Sequence, residues 1–123
     1  RSAFLIGIFD RAADDLHVGY YSVYCDLTNG NAETIVMVGD RAYWGKGYGT
    51  DAMKLCLRYA FMELGAERVS LGLMAYNARA LKAYEKAGFR MEGRTRGDVF
   101  REGVHHDSLW MGILRDEWLK RET

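Results

Sequence analysis

Apolar and polar positions along the chain follow two rhythms, one of period two and one of three to four. Residues 2–9, SAFLIGIF, form a strand-like apolar run, and the polar DRAADD after it predicts a turn. HVGYYSVYCDL (17–27) alternates in part around its rings and predicts a second strand. TNGN (28–31) contains Asn-Gly, the strongest short hairpin signal, so AETIVMVG (32–39) is expected as a third strand antiparallel to the second. The rhythm then changes. Met53, Cys56, Leu57, Ala60, Phe61 and Leu64 recur at three and four, which predicts an amphipathic helix of about four turns. Thr50 is its expected N-cap, Asp51 suits the positive end of its dipole, and Gly65 is the expected left-handed stop.

RVSLGLMA (68–75) returns to a strand pattern. A helix separates it from 32–39, so the two strands are expected to run parallel. Asn77 is placed to cap a second helix, ARALKAYEKA, which ends at Gly88. FRMEGRTRGDVFR and VHHDSLWMGIL predict an antiparallel hairpin turning at Glu102-Gly103, and RDEWLKRET reads as a charged tail. With no repeat, linker or low-complexity stretch, residues 1–123 read as one α/β (α+β) domain. The chain opens at Arg1 directly into a strand, so residues upstream are expected.

Composition mainly removes function classes. Seventeen basic residues balance seventeen acidic ones, which gives no electrostatic case for nucleic acid as a partner. No apolar run approaches the roughly 20 residues needed to cross a bilayer as a helix. Cys25 and Cys56 make neither a metal spacing nor a disulfide framework, which fits a reducing cytoplasmic setting. Cys56 lies on the apolar helix stripe and reads as inert packing. His105 and His106, adjacent on a strand, point to opposite faces and do not form a metal pair; no metal site is expected. His17 reads as a surface residue. Asp107 reads equally as a structural carboxylate or as one facing an acceptor.

The stretch YWGKGYGTDAM (43–53) carries chemistry. Gly45, Gly47 and Gly49 fall between a strand and the start of a helix. First-turn N–H groups have no internal partners, and the helix dipole adds roughly half a positive charge there. Glycines let successive amides converge on an anion, so the order strand, glycine loop, helix points to a pyrophosphate. The residues are not a Walker loop, because Gly47 follows Lys46 where Ser or Thr is required, and their spacing is not the dinucleotide fingerprint. A structural turn is the alternative, and Lys46 is either a charge for phosphate or simply solvated.

DRAYWGKGYGTDAM, then YAF (59–61), then YNARALKAYEKAGFRMEG (76–93) resemble the GNAT acyl-CoA-dependent N-acetyltransferases, in particular their RimJ/RimL-like branch. The likeness runs from about residue 17 to 117 with both motifs in order. It implies a GNAT fold: a mixed, mostly antiparallel twisted sheet, a glycine-loop helix and a second helix packed on it, without the usual N-terminal helices. It also implies acetyl-CoA as co-substrate. The backbone from Trp44 through Gly45, Lys46, Gly47, Tyr48 and Gly49 to Thr50 falls where the family cradles the pyrophosphate. Met37, Val38 and Gly39 fall on the splayed strand that pairs with the pantetheine arm, and Asn77 where a side-chain amide touches that arm. Trp44 stands where the family often has Gln or Arg. Tyr84 falls beside the thioester sulfur; independently, Asn77 and Tyr84 are seven residues apart and share a helix face. Without the resemblance, Tyr84 reads as a core ring on the stripe with Leu81 and Ala87.

The implied reaction is direct attack of a primary amine on the thioester. Glu33, fourteen residues before Gly47, falls where some branches place a general base; otherwise it is an exposed strand-end carboxylate. An aliphatic ammonium titrates near 10, so such a base has work to do. A phenol near 10 protonating a thiolate whose thiol titrates near 8.5 runs uphill by about 2 kcal/mol, which favours Tyr84 as a hydrogen-bond donor to sulfur. The Val38 amide is expected to polarise the carbonyl. Protein N-termini, polyamines, aminoglycosides and other small amines are all open as acceptors, and homodimers are common in the family, with HVGYYSVY offering an aromatic surface. A catalytically silent acyl-CoA-binding or regulatory module is the alternative; a nucleotide-dependent enzyme is a third.

Overall fold

A computed structural model of the chain describes residues 2–10, 16–26, 28–38 and 48–122. Among the described residues, six strands form one sheet: β1 (Ser2–Asp10), β2 (Leu16–Asp26), β3 (Asn31–Val38), β4 (Arg68–Met74), β5 (Arg90–Arg101) and β6 (Val104–Leu114), in the order β1-β2-β3-β4-β6-β5. Three helices accompany them: α1 (Tyr48–Arg58), α2 (Ala78–Ala87) and α3 (Arg115–Glu122). The expected strands are present with ends shifted by at most one residue. All pairings are antiparallel except β3 with β4, as the intervening helix requires.

Turn chemistry sets the connections. Gly30 closes the β2–β3 hairpin at φ 69°, and Glu102-Gly103 turns β5 into β6 with both residues at positive φ, 52° and 78°. That pair of left-handed residues matches the right-handed twist of a two-residue hairpin. Asn77 caps α2 by accepting from the Ala80 N–H at 3.1 Å, and Gly88 ends the helix at φ 107°. A Cβ on Gly88 would also come within 2.7 Å of the exposed Arg121 side chain, which would have to shift, so it is the left-handed φ that calls for glycine there.

Three expectations need correction. Thr50 is not an N-cap, because α1 already starts at Tyr48. Gly49 is tolerated there because a first turn makes few internal hydrogen bonds for a poor helix former to weaken. The four-turn helix is not uniform either: its last turn, Tyr59–Glu63, is a π-turn closed by the Leu64 N–H on the Tyr59 carbonyl at 3.0 Å. Beyond it Gly65 adopts the expected left-handed conformation, φ 73°. Finally, RDEWLKRET is no loose tail. Residues 115–122 form α3, whose Trp118 is buried and tilted against Phe61 at a ring separation of 5.3 Å.

The core lies on one face of the sheet. Val23, Cys25, Ala32, Thr34, Val69, Leu71, Met111 and Ile113 are buried there together with Met53, Cys56, Leu57 and Phe61. Strand alternation sends Tyr24, Glu33, Ser70 and Trp110 to the other face, where no described helix packs. Cys56 packs as inert core: its Sγ sits 3.1 Å from the Thr34 hydroxyl, and burial pushes its thiol up to about 11. Cys25 is likewise buried and free.

Candidate functional site

The central feature of the sheet is the short ladder between β3 and β4. It joins Asn31 with Arg68, Ala32 with Val69 and Glu33 with Ser70, and no pairing follows among the described residues. Both strands continue, to Val38 and Met74. Their backbones therefore diverge, leaving main-chain groups of β3 and β4 without strand partners along the gap. Met37 and Val38 lie on the open stretch of β3. Tyr48, Gly49 and Thr50 form the first turn of α1, whose N–H groups an α-helix leaves without internal acceptors. Gly39, Trp44, Gly45, Lys46 and Gly47 lie outside the described residues.

α2 contributes from the covered side. Tyr84 packs half-buried on the core and meets Phe89 edge-on at 6.0 Å. Burial raises its phenol above the ordinary value, because a phenolate would be poorly solvated there. The Phe89 N–H, past left-handed Gly88, closes on the Tyr84 carbonyl at 3.0 Å and fixes that end of the helix. Asn77 heads the same helix; its Oδ1 is spent on the cap, which leaves its amide N–H groups as the donors for a ligand. Tyr84 thus keeps the apolar contacts expected of a core ring and also offers a hydroxyl that no described residue holds by hydrogen bond.

Glu33 is on the opposite face, at the closed end of the gap. It borders an open cleft of about 490 Å³ together with Tyr24, Asp26, Asn31, Arg68 and Ser70. Arg68 is forked onto Glu92 through bonds of 2.9 and 2.6 Å, so its charge is largely matched outside the cleft. Asp26 is held below the ordinary carboxyl range, chiefly by the Asn29 side chain. The fold does not bring Glu33 and Tyr84 together on one face; they flank the gap from its two sides.

The far end of the sheet settles the reading of Asp107. Its carboxylate accepts from the Gly97 N–H at 2.7 Å and from Arg94 Nε at 2.6 Å, and these two hold it below its ordinary pKa. His105 places Nδ1 3.0 Å from the Gly97 carbonyl, while His106, on the other face, meets Tyr76 edge-on at 4.8 Å. No group of three or more His, Cys, Asp or Glu among the described residues is arranged to hold a metal. No helix among them is long and apolar enough to cross a membrane. Sequence reasoning did not single out Asp98, which accepts from the buried Ser108 hydroxyl at 2.8 Å. The signal for it was TRGD, a glycine interrupting a strand pattern, which marks a bulge.

Comparison with known proteins gives one consistent picture. Residues 1–90 match the family described as Acetyltransferase (GNAT) domain. "Probable N-acetyltransferase YjcK" of Bacillus subtilis is 37% identical over 114 residues, covering 90% of this chain and 61% of that protein. Spermidine N(1)-acetyltransferase of Escherichia coli is 32% identical over 77 residues, covering 63% of this chain and 41% of that protein. The chain thus spans less than two thirds of the length of these curated relatives. Among solved structures, a point mutant of the spermidine N-acetyltransferase SpeG from Vibrio cholerae superimposes with a TM-score of 0.91 at 23% identity, covering 100% of this chain and 72% of that one.

Proposed function

Because the chain belongs to the GNAT acetyltransferase family, we propose that it transfers an acetyl group from acetyl-CoA to a primary amine, as an N-acetyltransferase of the RimJ/RimL-like branch. The observation that carries this reading is the gap between β3 and β4 beside the first turn of α1. A diphosphate fits the partnerless amides of Tyr48, Gly49 and Thr50, joined in this reading by the backbone of 44–47. An extended amide-bearing arm fits the open edges of Met37, Val38 and Gly39, and Asn77 donates to the same arm. The Val38 N–H polarises the thioester carbonyl.

In this mechanism the amine nitrogen bonds to the carbonyl carbon, the carbon–sulfur bond breaks, and the electron pair leaves on sulfur. Tyr84 donates a hydrogen bond to that sulfur as its charge grows. Glu33 takes the amine's proton through solvent in the open cleft, since it stands several residues down the strand from Val38. The acceptor arrives from the helix-free face, because buried side chains fill the other. A spermidine N(1)-acetyltransferase among the similar proteins supports polyamines as one class of acceptor in this reading. The buried free thiols fit a cytoplasmic setting, and a homodimer belongs to this reading as well.

Thiol release from acetyl-CoA against a panel of amines, paired with calorimetric titration of coenzyme A, tests the proposal. Turnover with at least one amine is expected. Tight binding of coenzyme A with no turnover on any acceptor would point to a silent binding module instead. Glu33→Gln is expected to lower kcat about 10- to 100-fold near neutral pH and to lose most of that deficit at high pH, where the amine is already neutral. A deficit independent of pH would remove Glu33 from proton transfer.

A further inference from the structure

β5 and β6 do not pair evenly. Thr95 stands opposite Ser108 and Val99 opposite His106, so three residues, 96–98, face Asp107 alone. Such a bulge re-aims side chains. Its shape is fixed from several directions: Gly97 takes φ 61°, its N–H and the Arg94 guanidinium both bind the Asp107 carboxylate, and its carbonyl meets His105. The Asp107 backbone carbonyl in turn accepts from the Ala75 N–H at 2.9 Å, which ties the bulge to the end of β4.

The result is that Asp98 lies against Ser108. Ser108 is 8% exposed and its hydroxyl donates to Asp98 Oδ1, so one carboxylate oxygen is fixed and the other is left for a ligand. Ser108 shares its face with Trp110, away from the helices, and it pairs with Met74, the last residue of β4. Asp98 therefore overlooks the open end of the β3–β4 gap from the face by which an acceptor arrives. Arg94 is committed to Asp107, and no cation among the described residues forms an ion pair with Asp98. On the same face of β6, His106 meets Tyr76 edge-on and Trp110 is anchored to Thr95 through a 2.8 Å bond.

We propose that Asp98 anchors a second ammonium group of the acceptor, which makes it a specificity-determining residue favouring diamines and longer polyamines over monoamines. The inference rests on the acetyltransferase reading above. Asp98 is on β5, two strands beyond the lip of the gap, and its carboxylate reaches back to Ser108 on β6, so it stands roughly 7–10 Å from the gap's centre at strand spacings of about 4.8 Å. A short α,ω-diamine spans that interval, with one nitrogen neutral at the thioester and the other charged at Asp98.

The test compares 1,4-diaminobutane with butylamine as acceptors. In the wild type the diamine should show a KM about tenfold lower, a difference in keeping with a charge-assisted hydrogen bond. Asp98→Asn keeps an acceptor for Ser108 and removes only the charge. It should raise the diamine KM to the butylamine value while leaving butylamine turnover and the acetyl-CoA KM within about twofold. Asp98→Glu should restore part of the preference. Calorimetric titration of 1,4-diaminobutane in the presence of coenzyme A reads the same anchor without turnover. Binding lost in Asp98→Asn, from a wild type that acetylates no amine, would support the anchor and overturn the acetyltransferase reading. An active wild type whose diamine preference survives in Asp98→Asn, or is absent altogether, overturns the anchor.

Discussion

Tyr84→Phe should lower kcat about 100-fold, in line with the loss of one well-placed donor to developing charge, while the acetyl-CoA KM stays within about twofold. The expectation rests on two properties of the ring. Burial raises its phenol above the ordinary value, so the phenolate is a poor species at any working pH and outright protonation of a thiolate is even less favourable than the ordinary values suggest. In the proposed reaction, the role left to Tyr84 is a hydrogen bond that strengthens as sulfur becomes negative. Substrate and transition state differ most at that atom, so the loss falls on kcat. The packing of the ring is separable from this role. Phe keeps the edge contact with Phe89 and the core contacts, and no described group loses a hydrogen-bond partner. The thermal midpoint should therefore move by no more than about 2 °C, equivalent to a fraction of a kcal/mol. A variant with wild-type turnover would leave Tyr84 as a packing residue only. A variant with lost turnover and a collapsed midpoint would assign the effect to folding.

Much of the frame was legible in the chain because its punctuation is local. Gly30, Gly65, Gly88 and Gly103 each settle a turn through the left-handed φ that glycine tolerates, while Glu102 takes a positive φ that only the two-residue turn imposes. Asn77 acts within one helical turn. The parallel β3–β4 pairing followed from a helix placed between two apolar runs. Other features depend on partners far away in sequence. The bulge at 96–98 exists because Asp107, ten residues on, binds the Gly97 N–H, and no periodicity announces that bond.

The site was legible as a set of residue types more than as an arrangement. Alternation told which side chains of β3 share a face, yet not which face the helices would cover. Only the packing of α1 and α2 decides that Thr34 is buried and that Glu33 looks the other way. In the proposed mechanism, the consequence is that Glu33 and Tyr84 approach the gap from opposite sides. Asp98 escaped notice for a related reason. A regular strand would have given Thr95 and Asp98 opposite faces; the bulge gives Asp98 the Ser108 face that Thr95 shares.

The C-terminal helix shows how little apolar surface can order a segment, and it leads to the largest expected loss of stability. Trp118→Ala should destabilise the fold by about 3–5 kcal/mol, the usual cost of deleting a buried large aromatic, and lower the thermal midpoint by about 10–20 °C. Eight residues cannot hold a helix by themselves in water. Among residues 115–121 only Trp118 is buried, at 5% exposure, which is why the stretch has no periodic stripe to betray it. Its ring lies on Phe61 at 5.3 Å, at the end of the helix that follows the gap. The polar contacts around it are terminal tethers: Arg115 donates to the Phe61 carbonyl, Arg121 to the Lys86 carbonyl at 2.7 Å, and Glu117 accepts from the Leu114 N–H at 3.0 Å. These tethers hold only while the indole keeps α3 seated, since each is partly solvated and worth about 1 kcal/mol or less when the helix frays. Thermal unfolding monitored by circular dichroism should show the midpoint falling for Trp118→Ala and much less for Trp118→Phe, which keeps a ring on Phe61. A drop below about 3 °C for the alanine variant, under 1 kcal/mol, would mean that the core closes without α3 and that the tethers, not the indole, seat the helix.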